Sequence, residues 1–136
     1  MTRTEIVRTA YQRINDQDFD GALDLCDPDI QFRDVLNKDG WAYGRKAVRQ
    51  RFAERFSVAT VHVTVGALVE LGNIVIAAVC CQVYGPAGDP VGPNVIVTDR
   101  ISFRGNQIFR VETTQFEDVP DEVRTVLLAG TTSRQT

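Results

Sequence analysis

Two aspartates stand where an apolar residue is expected. In Asn94–Phe103, alternate residues Val95, Val97, Ile101 and Phe103 share one face of an extended strand, and Asp99 lies among them. In Ile30–Asp34 the apolar face holds Ile30 and Phe32; Asp34 continues it while Gln31 and Arg33 point away. Burial disfavours the charged carboxylate, so an inward aspartate either finds a partner or takes up a proton. Two of them in one cavity are driven apart, one ionised and one neutral, which supplies a base and a hydrogen-bond donor near neutral pH. The plainer use of such residues is to accept backbone N–H groups or to pair with an arginine. Asp34 and Asp99 are the catalytic candidates.

The elements that must hold them follow from hydrophobic period. Thr2-Arg3-Thr4-Glu5 has capping-box form, and Val7, Ala10, Tyr11 and Ile14 repeat at helical spacing. Asp18 caps a second short helix through Leu25, which Asp27-Pro28 ends. Ile30–Asp34 reads as a strand, Asn37 to Gly40 as a loop, and Trp41–Tyr43 as a short strand or turn. Gly44 opens a third helix with Val48, Phe52 and Phe56 in one row; Arg45, Lys46, Arg49, Arg51 and Arg55 read as its solvated side. From Val58 the period becomes 2: Val61, Val63 and Val65 share one face, and Thr60, His62 and Thr64 the other, which puts His62 in solvent or at a subunit edge. Gly72-Asn73 turns into Ile74–Tyr84, apolar on both faces. A Pro- and Gly-rich loop, Gly85–Pro93, precedes strands Asn94–Phe103 and Ile108–Phe116. Pro120 suits the start of a closing helix with Val123, Val126 and Leu127 on one side, and 131–136 reads as a loose tail.

Helices first and long strands afterwards predict an α+β fold, with helices on one face of an antiparallel sheet. The 136 residues amount to one domain, assigned to 1–130, and no repeat or linker divides it. A strand apolar on both faces needs cover on both, so the side around Ile76, Ala78, Cys80 and Tyr84 is expected to meet a second copy in a homodimer. Net charge −3 gives no basic footprint for nucleic acid. No apolar run reaches the roughly 18 residues of a membrane span. Three cysteines, with Cys80 and Cys81 adjacent and facing opposite ways, suit a reduced cytoplasmic protein; they and the single histidine make a metal site unexpected. Cys81 reads as an apolar wall residue of a pocket. Val97, Val111, Thr113 and Gln115 are placed on the pocket side, unless a one-residue bulge turns Glu112 and Thr114 inward.

Asn15–Gly21, Asp27–Asp34 and Gly44–Arg49, followed by Thr98–Phe103 and Gly105–Ile108, resemble SnoaL-like and ketosteroid-isomerase-like proteins of the NTF2-like superfamily. The likeness spans roughly residues 4–116 and rests on the order and spacing of these stretches. It implies a cone of three N-terminal helices against a curved mixed sheet (the cystatin-like α+β barrel), enclosing a pocket and usually dimeric. It places the isomerases' general base on Asp34 and their protonated aspartate on Asp99. The helix-1 tyrosine of that group falls on Ala10, with Tyr11 about 100° round the helix, so Tyr43, Tyr84 or Gln115 is expected to stand in. Trp41 and Tyr43 flank the mouth in the family layout, and with Tyr11 complete the expected ligand contacts. The Arg-x-Asp pair of limonene-epoxide hydrolases has no counterpart in the uncharged Ile74–Tyr84. The stretch matching the His and Asp of SnoaL-type aldol cyclases reads Val111-Glu112-Thr113. The expectation is a cofactor-free isomerase or cyclase acting on a small apolar carbonyl or epoxide; the competing one is a non-catalytic binding or assembly module.

Overall fold

A computed structural model describes residues 1–34, 40–115, 121, 122 and 125. The elements run α1 (Arg3–Asn15), α2 (Phe19–Leu23), β1 (Cys26–Asp34), β2 (Trp41–Tyr43), α3 (Arg45–Val58), β3 (Thr60–Leu71), β4 (Ile74–Tyr84), β5 (Val95–Arg104) and β6 (Gln107–Gln115). Asp121, Glu122 and Thr125 of the expected closing helix are helical, while the rest of it, the tail and most of the 37–40 loop lie outside the described residues.

Helix α1 starts at the capping box: the Thr2 hydroxyl accepts from the Glu5 amide while the Glu5 carboxylate accepts from the Thr2 amide. Helix α2 is capped by Asp18 and stops at Leu23, two residues earlier than its pattern suggested. Gly44 holds φ +86 at the start of α3, a conformation that glycine adopts without strain. Gly72, at φ +62, makes the β3–β4 turn in the same way.

The six strands form one curved, unclosed sheet in the order β2-β1-β6-β5-β4-β3. All pairs are antiparallel except β1 with β6, which are parallel. The sheet is therefore mixed, as the family resemblance implied, and the all-antiparallel reading is corrected. Everything from β2 through α3 to β5 lies between β1 and β6, which gives the chain the long connection that a parallel pair requires. Strand β1 also begins earlier than Ile30. Its ladder to β6 breaks between Cys26 and Gln31, where Pro28 has no N–H to donate. In β3 a bulge between Val65 and Leu68 turns Ala67 to the outer face, where it packs with Val69, Ile76 and Ala78.

The main core lies between the helices and the inner sheet face, built from Ile6, Val7, Phe32, Val75, Ala77, Val79 and Phe103 among others. Phe19 of α2 stacks on Phe52 of α3, and Phe52 meets Phe32 of β1, tying α2 and α3 to the sheet. His62 is exposed on the outer face. No helix among the described residues is long and apolar enough to cross a membrane.

Candidate functional site

Strand register brings the two aspartates together. Asp34 pairs with Thr113, Thr113 with Asp99, and Asp99 with Ala77, so all four stand in one row across β1, β6, β5 and β4. Residues directly opposite one another share a face. The carboxylates thus project from the same side, two strand spacings or about 10 Å apart at the backbone. Both line a cavity of about 310 Å³ beneath α1 and α3, whose wall is otherwise almost wholly apolar.

Each carboxylate has its own kind of partner. Arg55, in the last turns of α3, sets Nη2 2.8 Å from Oδ2 of Asp34. Among the described residues no cation contacts Asp99; it accepts from the Thr113 hydroxyl on one oxygen and from the Tyr11 hydroxyl on the other. Burial raises the Asp99 pKa above the ordinary carboxylate value. The hydroxyl bonds from Thr113 and Tyr11 work against that rise, and the nearby Asp34 charge adds to it. The Tyr11 phenol is pushed well above its ordinary value, first by burial and then by the Asp99 charge. Cys81, on the same wall, is raised to about 11, mainly by burial and next by Asp99, so it remains a thiol.

Seven of the ten residues singled out from the sequence border the cavity: Tyr11, Asp34, Cys81, Val97, Asp99, Val111 and Thr113. The other three do not. Trp41 and Tyr43 stack on each other on the outer face beside α3, Tyr43 being 64% exposed, because Ala42 takes the inward position of that short strand. Gln115 is in register with Val97 but stands exposed at the end of β6. No bulge turns Glu112 inward; it pairs with Arg33.

The tyrosine expectation is corrected. None of Tyr43, Tyr84 and Gln115 reaches the cavity, whereas Tyr11 does. Helix α1 lies along the cavity, so Val7, Ala10, Tyr11 and Ile14 all face it, and a residue 100° from Ala10 is still inside that arc. Arg55 was the residue missed. It was counted with the solvated arginines of α3, yet it lies three residues after Phe52 and one before Phe56, on the flank of the apolar row. That flanking position was the available signal.

The chain belongs to the SnoaL-like domain family, whose model matches residues 7–116. Solved structures with the same fold include TerC, co-crystallised with polyporic acid (16% identity, 93% of this chain and 98% of that one, TM-score 0.73). A protein of ketosteroid-isomerase-like fold from Catenulispora acidiphila, in complex with trimethylamine, matches at 19% identity, 81% and 84% coverage and TM-score 0.71. SalBIII, an epoxide hydrolase/cyclase-like enzyme of pyran ring formation in the polyether salinomycin, matches at 20%, 82% and 88%, and 0.70. Among curated proteins none matches this sequence.

Proposed function

We propose that this chain is a cofactor-free acid–base enzyme, an isomerase or ring-forming cyclase, acting on a small and largely apolar carbonyl- or epoxide-bearing molecule. The observation that carries the reading is the row Asp34–Thr113–Asp99 facing one apolar cavity, with a cation at one carboxylate and two hydroxyls at the other. Asp34, ion-paired with Arg55, takes or relays the proton. Burial raises the Asp99 pKa, and in this reading Asp99 holds a proton and stabilises negative charge developing on the substrate oxygen. Both oxygens of Asp99 are already engaged, so Tyr11 shares that second task. When Asp99 holds its proton, the phenol can accept it and turn its own hydrogen towards the ligand. SalBIII, an epoxide hydrolase/cyclase-like enzyme, makes ring formation familiar for the fold, while the assignment here stands on the residues. Two copies pair through the outer face around Ile76 and Ala78 in the same proposal; sedimentation that gives a single-chain mass removes that part.

The activity is tested with β-tetralone, a flat apolar ketone with acidic α-protons. In D₂O the protein is expected to raise the melting temperature with this ligand and to accelerate its α-proton exchange. A melting shift without exchange favours the binding-module reading.

A further inference from the structure

Beyond the carboxylate row the inner sheet face continues towards solvent as a strip of valines. Val79 pairs with Val97, Cys81 with both Val95 and Val63, and Val83 with Val61. The Gly85–Pro93 loop then folds back on β4: Pro90 bridges Tyr84, and the Val91 amide donates to the Val83 carbonyl at 2.8 Å. Val91 therefore lies opposite Val83 and shares its face. From Ala77, level with Asp99, to Val83 is six residues, or about 20 Å along the strand. Exposure grows along this path, from 3% at Val97 to 44% at Val95 and 55% at Val91. Apart from Gln115 at the end of β6, the inward positions of β3, β4 and β5 along this stretch are apolar.

Resting on the acid–base reading above, we propose that the substrate carries an extended apolar chain, which runs along this valine wall to the mouth of the cavity and Val91 while its carbonyl or epoxide end sits at Asp34 and Asp99. All of these residues but Val91 also line the cavity; a compact ligand held at the carboxylates would leave this outer part of the wall, and Val91 beyond it, uncovered. Large side chains left half in water are the signature of a surface that takes an apolar partner. Among the described residues the strip is continuous with the reactive cavity and, Gln115 apart, its inward positions carry no polar group, so its occupant is the remainder of the same ligand. Valine is branched at Cβ and stiff, and a strip of valines gives a smooth track with no fixed polar register. The site then selects on length and apolarity of the chain, not on its functional groups.

Methyl hexyl ketone and methyl undecyl ketone test this on the intact protein, with binding measured by calorimetry and α-proton exchange followed in D₂O. Each methylene buried is worth about 0.8 kcal/mol, so even partial burial of five more favours the longer ketone at least about ten-fold. Val91→Asp with Val95→Asp should remove most of that preference, read as the ratio of the two affinities within each protein. Equal affinities in the wild type overturn the proposal, and so does a preference that survives in the double variant. A double variant that melts several degrees lower without ligand overturns it too, because the valines would then already be covered by a second copy or another part of the chain. Exchange of the short ketone without a length preference defeats this inference alone. A length preference without exchange defeats the acid–base reading alone.

Discussion

Asp34 and Asp99 stand in one register row, face one cavity and are almost equally hidden, at 7% and 7% exposure. Their surroundings nevertheless differ in kind. Asp34 sits at the end of its strand, beside the α3 guanidinium that reaches it from the more open side of the site. Asp99 sits mid-strand under α1, where two neutral hydroxyls meet it and burial weighs against its charge. Position in the sheet thus separates two identical side chains into one beside a guanidinium and one that burial inclines to hold a proton. A difference imposed on two like groups is what acid–base catalysis needs.

The comparison can be broken at either end. Arg55→Met removes the guanidinium from a buried carboxylate. It should cost about 2 kcal/mol in urea unfolding, below the usual figure for a fully buried pair because Arg55 remains 30% exposed. An unchanged midpoint would show that Asp34 does not depend on this cation. Tyr11→Phe leaves one oxygen of Asp99 without its donor and should cost about 1–2 kcal/mol by the same measurement, with Thr113→Val at the lower end of that range.

The pH dependence sharpens the distinction. Because the folded-state pKa of Asp99 lies above the ordinary 3.8, the folded protein holds this proton more tightly than the unfolded chain. Its stabilising effect is complete below about 3.8 and is lost as pH rises through the raised folded value. Asp99→Asn should accordingly gain on the wild type across that window and keep a constant difference above it, as followed by melting temperature against pH. A difference that is flat from pH 3 upwards would contradict the assignment. The smallest effect concerns the thiols: burial lifts Cys26 to about 12 and Cys81 to about 11, so mass spectrometry should find both unalkylated after brief iodoacetamide treatment near pH 7.

Strand parity made most of this legible in advance. A period of 2 fixes which face a side chain takes, so Asp34, Asp99, Val97, Val111 and Thr113 could be placed from the pattern alone. Pairing partners are a different matter. That β1 runs parallel to β6, and so brings Asp34 level with Thr113, depends on a contact some 80 residues away along the chain, which local period does not encode. Helix positions were harder for another reason. A helix presents a broad arc, and Tyr11 and Arg55 both sit on the margins of theirs. Whether such a residue turns to solvent or to the cavity is decided by how the helix is seated on the sheet. Trp41 and Tyr43 were misplaced through the family layout, although the alternation Trp41-Ala42-Tyr43 itself put the small residue between two large ones.

The central claim is that Asp34 moves the proton. The direct measurement is α-proton exchange of β-tetralone in D₂O by the wild type and by Asp34→Asn, with circular dichroism and melting used to establish that the variant is folded. The account predicts a loss of about 100-fold or more in the exchange rate, the usual contribution of a positioned general base. A folded Asp34→Asn protein that exchanges the ketone as fast as the wild type would contradict it.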